Sequence, residues 1–161
     1  MDTIKIIPHT IKPLRKVTIK PHKTINIGII GAIGIHKGLD KIKNIDKVLP
    51  KYKNVKLIII GYTSCDNSFE NTEITGAYDV NDLPNIIEKF KIDVIFIPSI
   101  CPETFSYTTE EAMSMGIPLA CYNIGAPAER VCNYKKGIVI NSMEDDEKTL
   151  TALIDCAKNW K

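Results

Sequence analysis

Four continuous apolar runs most constrain the fold of this chain: INIGIIG (Ile25–Gly31), VKLIIIG (Val55–Gly61), DVIFIPS (Asp93–Ser99) and IPLACYN (Ile117–Asn123). They are rich in β-branched residues and too short to be helices of ordinary length. They also lack the alternating polar residues of a sheet with one wet face. Such runs read as strands buried on both sides. Two shorter segments, Glu73–Tyr78 and Gly137–Asn141, fit the same role.

Helical patterns fall between the runs. Leu39–Leu49 has Leu39, Ile42, Ile45, Val48 and Leu49 at helical spacing, with Pro50 after it. Asp79–Phe90 has Leu83, Ile86, Ile87 and Phe90 on one face, with Asp79 or Asn81 as its cap. Tyr107–Met115, ended by Gly116, Pro127–Tyr134 and Asp145–Trp160 complete the series. Strand and helix in alternation predict an α/β fold: a doubly wound, Rossmann-like parallel sheet of about six strands with helices on both faces. Right-handed crossovers place every strand-to-helix turn at one edge, and a ligand belongs there. Residues 25–161 form this domain. Residues 1–24, with Pro8, Pro13 and Pro21 and a cluster of basic residues, read as a linker or the end of a preceding domain. Short extended patterns around Ile4–Ile7 and Val17–Ile19 allow an edge strand.

Charge and cysteine content remove several functions. A formal net charge of +2 does not suggest nucleic acid. The five cysteines are scattered without a CxxC pair, which favours reduced thiols over a metal site or disulfide framework. No apolar run approaches membrane-spanning length, and the N-terminus lacks a signal-peptide core. Reduced thiols make a cytoplasmic setting the expectation, with any link to an inner membrane coming through the rest of the protein.

The turns at the strand ends carry the chemistry. GAIGIHKG (Gly31–Gly38) places Lys37 and His36 just before a helix, a site suited to a diphosphate; a surface lysine among turn-forming glycines fits equally. The spacing Gly28, Gly31, Gly34 is not G-x-G-x-x-G, and Lys37 is followed by glycine, so neither a dinucleotide fingerprint nor a Walker loop is present. CPETFSYTTEEAMSMGIPLACYNIG (Cys101–Gly125) holds Glu103 and Glu111 with seven residues between them and a helix start in that interval. This suits a phosphorylated, polyhydroxylated ligand. Glu103 also fits a solvated loop acid, and Thr108 to Glu111 fits a capping box with Thr108 as cap. In NIGAPAERV, Gly125 and Ala126 permit close approach, and Arg130 points either to the cleft or to a surface pair.

With GAIGIHKG, the E-x7-E segment and the downstream Gly125–Glu129 turn in view, the chain resembles the C-terminal, nucleotide-sugar-binding domain of GT-B glycosyltransferases of the retaining group 1 (family 4) class. The likeness covers roughly Thr24–Trp160. It implies a glycosyltransferase that moves a sugar from a nucleotide-diphosphate sugar to a hydroxyl of a glycan or lipid-linked acceptor, in bacterial surface-glycan synthesis. It implies retention and no metal or other cofactor. By resemblance, Lys37 and Gly34 belong to the diphosphate turn, Glu103 contacts the sugar, and the Phe105 and Ser106 amides lie near sugar and phosphate. Glu111 takes the ribose hydroxyls and Tyr78 lies near the base. Many members carry an arginine where this chain has Ala32; His36 and Arg130 are the local candidates to replace it. GT-B enzymes close their cleft with an N-terminal domain, so the resemblance implies such a domain in cis or in trans, and weak activity for this chain alone. A non-catalytic nucleotide-sugar-binding module and a nucleotide-sugar epimerase-like domain are the alternatives.

Overall fold

A computed structural model describes residues 9–65 and 68–161. Six strands form one sheet in the order β3-β2-β1-β4-β5-β6, and every pairing is parallel. They are β1 (Ile25–Ile33), β2 (Val55–Thr63), β3 (Thr72–Ile74), β4 (Val94–Ile97), β5 (Leu119–Tyr122) and β6 (Gly137–Ile140). The helices are α1 (Leu39–Val48), α2 (Leu83–Lys89), α3 (Tyr107–Met115), α4 (Gly125–Val131) and α5 (Asp146–Asn159). The strand order reverses between β1 and β4, so the two turns that follow these strands part to opposite faces and leave a crevice.

The apolar runs are continuous because each strand feeds two cores. Ile27 and Ile29 of β1, Leu57 and Ile59 of β2, Phe96 of β4 and Tyr122 of β5 face α1 and α5. Ile30, Ile58 and Ile60, Ile95, Leu119 and Cys121 face α2, α3 and α4. Burying each of these large aliphatic side chains contributes about 2 kcal/mol. Phe96 and Tyr122 meet edge to face, centroids 5.3 Å apart.

Several boundaries differ from the sequence expectation. β1 and β2 run past Gly31 and Gly61 to Ile33 and Thr63, because the two glycines pair in register and the ladder continues beyond them. The first turn therefore begins at Gly34, not Gly31. β3 is only Thr72–Ile74, although Thr75 N–H and Gly76 N–H still reach the carbonyls of Ile59 and Gly61. Asp79 caps a single 3-10 turn, Val80–Asp82, ahead of α2. The helix expected over Pro127–Tyr134 starts earlier, at Gly125.

The segment before β1 is packed on the domain. Val17–Ile19 forms no strand; instead Val17 N–H donates once to Met115 O (3.1 Å). Leu14, Val17 and Ile19 cover the core beneath α2 and α3. Both carboxylate oxygens of Glu88 accept from the Arg15 guanidinium at 2.8 Å, and Thr18 N–H adds a third bond at 3.0 Å. His22 Nε2 lies 3.0 Å from Asp93 Oδ1, with both side chains almost fully buried. Residues 4–7, the other extended pattern, lie outside the described residues.

Candidate functional site

The crevice at the strand reversal is built from the turns after β1 and β4. After β1, the Gly34 carbonyl accepts from Lys37 N–H (3.1 Å) and Leu39 N–H (3.2 Å) and closes a 3-10 turn, Ile35–Lys37. Gly38, at φ +85°, starts α1; a Cβ there would lie 2.1 Å from the Pro98 carbonyl oxygen, so only glycine lets the two turns touch. Ile100 N–H donates to His36 O (3.1 Å), and His36 Nδ1 lies 3.3 Å from Cys101 Sγ. Main chain and side chain thus join the turns. Lys37 is exposed at the rim.

After β4, Ser99 and Glu103 are joined side chain to side chain, the Ser99 hydroxyl donating to Glu103 Oε1. The Glu103 carbonyl accepts from Ala126 N–H at 2.8 Å. Gly125, at φ +63°, passes so close to Glu103 that a side chain there would strike its backbone. The carboxylate is therefore held from its own strand end and from α4. Ser106 caps α3, its hydroxyl accepting from Thr109 N–H (3.3 Å) and from the Thr109 hydroxyl (2.8 Å). This corrects the capping box: Ser106, not Thr108, is the cap, so Glu111 lies beyond the position from which it could reach back to the cap amide.

Lys37, Ser99, Glu103, Ser106 and Thr108 line one notch of about 20 Å³. It brings together the lysine, the loop carboxylate and the start of α3, whose first N–H groups have no intrahelical acceptor. Glu111 is half-buried, and burial pushes its carboxyl above the ordinary carboxylate range. Tyr78 is pushed up to about 12, first by burial and then by the charge of Glu111. Tyr78 itself lines a separate surface cleft with Glu73, Thr75 and Asn85.

Not every candidate converges on the notch. Arg130 is held by Glu110, Nε to Oε1 at 2.5 Å and Nη2 to Oε2 at 3.0 Å. It lines a separate cleft with Phe105, whose ring meets Tyr107 edge-on at 4.8 Å and His9 at 5.3 Å. His36 is engaged with Cys101. A cavity of about 310 Å³ lies at the opposite, amino edge, between residues 17–22 and α5. Its walls precede the strands, so it is remote from the strand reversal. Among the described residues, no three His, Cys, Asp or Glu side chains gather as a metal site, and no helix is long and apolar enough to cross a membrane.

Sequence reasoning missed Ser99 and Cys101 as partners within the site. Ser99 had one legible signal, a hydroxyl at a strand end four residues before a loop acid. The bond between Cys101 and His36 joins positions 65 residues apart and had none.

The family model for glycosyl transferases group 1 matches residues 10–161. The chain belongs to that family. Solved structures similar to this group 1 chain include Anabaena HepE in complex with UDP-glucose (16% identity, TM-score 0.67, covering 84% of this chain and 40% of that one). The lipopolysaccharide outer core galactosyltransferase WaaB is 17% identical, with a TM-score of 0.67 over 96% of this chain and 46% of that one. The C-terminal domain of LpcC, a group 1 family protein from Francisella tularensis, is 20% identical, with a TM-score of 0.61 over 83% of this chain and 77% of that one. The likeness establishes the Rossmann-like fold of the GT-B structures. The group 1 chain spans less than half the length of HepE and WaaB. No match is found among the curated proteins.

Proposed function

We propose that this chain is the donor-binding half of a retaining, metal-independent glycosyltransferase that takes a sugar from a nucleotide-diphosphate sugar. The observation that carries the reading is the convergence of Lys37, Glu103 and the α3 start on one notch at the strand reversal. In it, Lys37 and the α3 amides offset charge that builds on the leaving diphosphate as the anomeric bond breaks. Glu103, fixed by Ser99 and Ala126, orients the sugar hydroxyls. Glu111 accepts from the ribose hydroxyls, and Tyr78 borders the base. The UDP-glucose complex of HepE, a structure of the same fold, supports a nucleotide sugar as ligand. The acceptor is a glycan or lipid-linked hydroxyl, brought by an N-terminal domain in cis or in trans. The setting is cytoplasmic surface-glycan synthesis.

A second reading, a nucleotide-sugar-binding module without chemistry, is favoured by Ala32 and by the engagement of Arg130 with Glu110, which leave Lys37 as the lysine of the notch. The test is a thermal-shift panel of UDP-, GDP- and ADP-sugars on the chain, repeated with Lys37→Ala and Glu103→Ala. A ligand that binds only the folded state raises its melting temperature. A shift that Lys37→Ala abolishes supports the donor site; no shift with any diphosphate nucleotide at millimolar concentration overturns it. Transfer or donor hydrolysis by the full-length protein, lost with Glu103→Ala, separates the enzyme from the silent module.

A further inference from the structure

Each of the two turns that wall the crevice carries one half of a nucleophile–base pair. His36, in the turn after β1, has Nδ1 3.3 Å from Sγ of Cys101, in the loop after β4. The pair sits beside the notch: His36 directly precedes Lys37, and Cys101 falls between Ser99 and Glu103. It is reachable, since His36 is exposed and Cys101 is half-buried. The remaining thiols are placed differently. Cys121 and Cys156 are buried, and burial pushes them up to about 12 and about 11. Cys132 donates back to Glu129 O at the end of α4 (3.2 Å), and Cys65 is exposed. Of the other histidines, His22 is engaged with Asp93, and His9 meets the Phe105 ring. Among the described residues, His36 is the histidine set against a thiol.

We propose that Cys101 is a thiol-modification site, activated by His36, that takes a low-molecular-weight disulfide and thereby closes the donor notch. The closing of the notch rests on the donor reading; the thiol chemistry does not. With the imidazole protonated on Nε2, Nδ1 accepts the Cys101 proton. The thiolate attacks one sulfur of the incoming disulfide. A bond from Cys101 Sγ to that sulfur forms as the disulfide's own S–S bond breaks, and the departing thiolate takes the proton from the imidazolium. One disulfide is exchanged for another, so no further oxidant is needed, and a free thiol reverses the step. The added group cannot pass between the turns. A Cβ at Gly38 would already strike the Pro98 carbonyl, and Ile100 N–H is bonded to His36 O at 3.1 Å. The group therefore either lies over the rim that Lys37 and Glu103 share or parts the turns, and in both cases the notch loses its donor.

The test is timed labelling of the intact chain with dithiobis-nitrobenzoate and with glutathione disulfide, each site read by peptide mass. Cys101 should be labelled before Cys65 and Cys132. His36→Gln should slow labelling of Cys101 about tenfold and leave Cys65 and Cys132 unchanged. In the mixed disulfide, hydrogen exchange at the Ile100 amide should quicken, and dithiothreitol should restore it. UDP-, GDP- or ADP-sugars that raise the melting temperature of the untreated chain should fail to do so after labelling. Cys101→Ser should keep that shift before and after treatment. Labelling of Cys101 no faster than of Cys65, or at an equal rate in His36→Gln, overturns the activated thiol. A donor shift that survives complete labelling of Cys101 overturns the closing of the notch. No shift with any nucleotide sugar in the untreated chain would instead overturn the donor reading, and the labelling rates and the Ile100 exchange would still decide the thiol site.

Discussion

The Cβ of any side chain placed at Gly125 would lie 2.6 Å from the amide nitrogen of Glu103. The start of α4 and the loop acid after β4 are therefore in backbone contact, and the carboxylate of the notch is positioned by an element that begins beyond the next strand. Gly125→Ala must either push the loop away or strain a backbone at φ +63°. The expected cost is about 1–3 kcal/mol of stability. Nucleotide-sugar affinity should fall further than affinity for the nucleoside diphosphate alone, because the displaced group is the proposed sugar contact. Calorimetric titration of both ligands against wild type and variant checks this; equal losses for both would show that Glu103 does not face the sugar.

Ser99 makes a narrower version of the same test. Its hydroxyl donates to Glu103 Oε1 from a buried strand end. Ser99→Ala leaves the backbone contact with α4 in place and frees only the carboxylate rotamer. Nucleotide-sugar affinity should drop about tenfold, with diphosphate affinity unchanged, and Ser99→Thr should restore it. An unchanged nucleotide-sugar affinity would assign the bond to local packing.

Glu111 predicts a pH dependence. Burial raises its carboxyl above the ordinary value of 4.5, and on the donor reading the ionised form is the one that would accept ribose hydroxyls. Donor affinity is therefore full above the raised value and falls as pH drops through it, so the loss begins at a higher pH than an exposed glutamate would give. In Glu111→Gln, affinity should be lower at neutral pH and flat across this window. Donor titrations between pH 4 and 8 distinguish the two profiles.

Much of the fold was legible because the strands are buried on both faces. Runs such as VKLIIIG have no polar face to confuse with a helix, and Gly and Pro mark their limits. The ends of β1 and β2 were not, since Gly31 and Gly61 look like turn residues and become strand residues only by pairing with each other. The Lys37 and Glu103 turns were legible as polar loops at one sheet edge. The sequence does not single out the cap of α3, because Ser106, Thr108 and Thr109 are all competent hydroxyls in a short stretch, and only packing chooses the first. The sequence leaves Arg130 between cleft and surface pair; it does both, in a cleft other than the one expected, because Glu110 on the neighbouring helix holds it. No local pattern announces such a pairing between helices.

The N-terminal segment carries the last prediction. Leu14, Val17 and Ile19 seal the core under α2 and α3, and Glu88 is one of the residues that anchor them, through Arg15 and the Thr18 amide. These bonds lower the Glu88 carboxyl from 4.5 to about 2, the Arg15 hydrogen bond first and the Thr18 amide next. A depressed carboxyl stabilises the fold at every pH above its unfolded value, and that contribution is lost as pH falls through the folded value. Glu88→Gln should therefore lower the melting temperature at pH 7, and the gap to wild type should narrow below pH 4.5 and close near pH 2. Hydrogen exchange in the variant should also show faster opening at Val17, whose N–H is bonded to Met115 O. A variant whose melting temperature stays level with wild type at pH 7, with unchanged exchange at Val17, would show that apolar packing alone holds the segment in place.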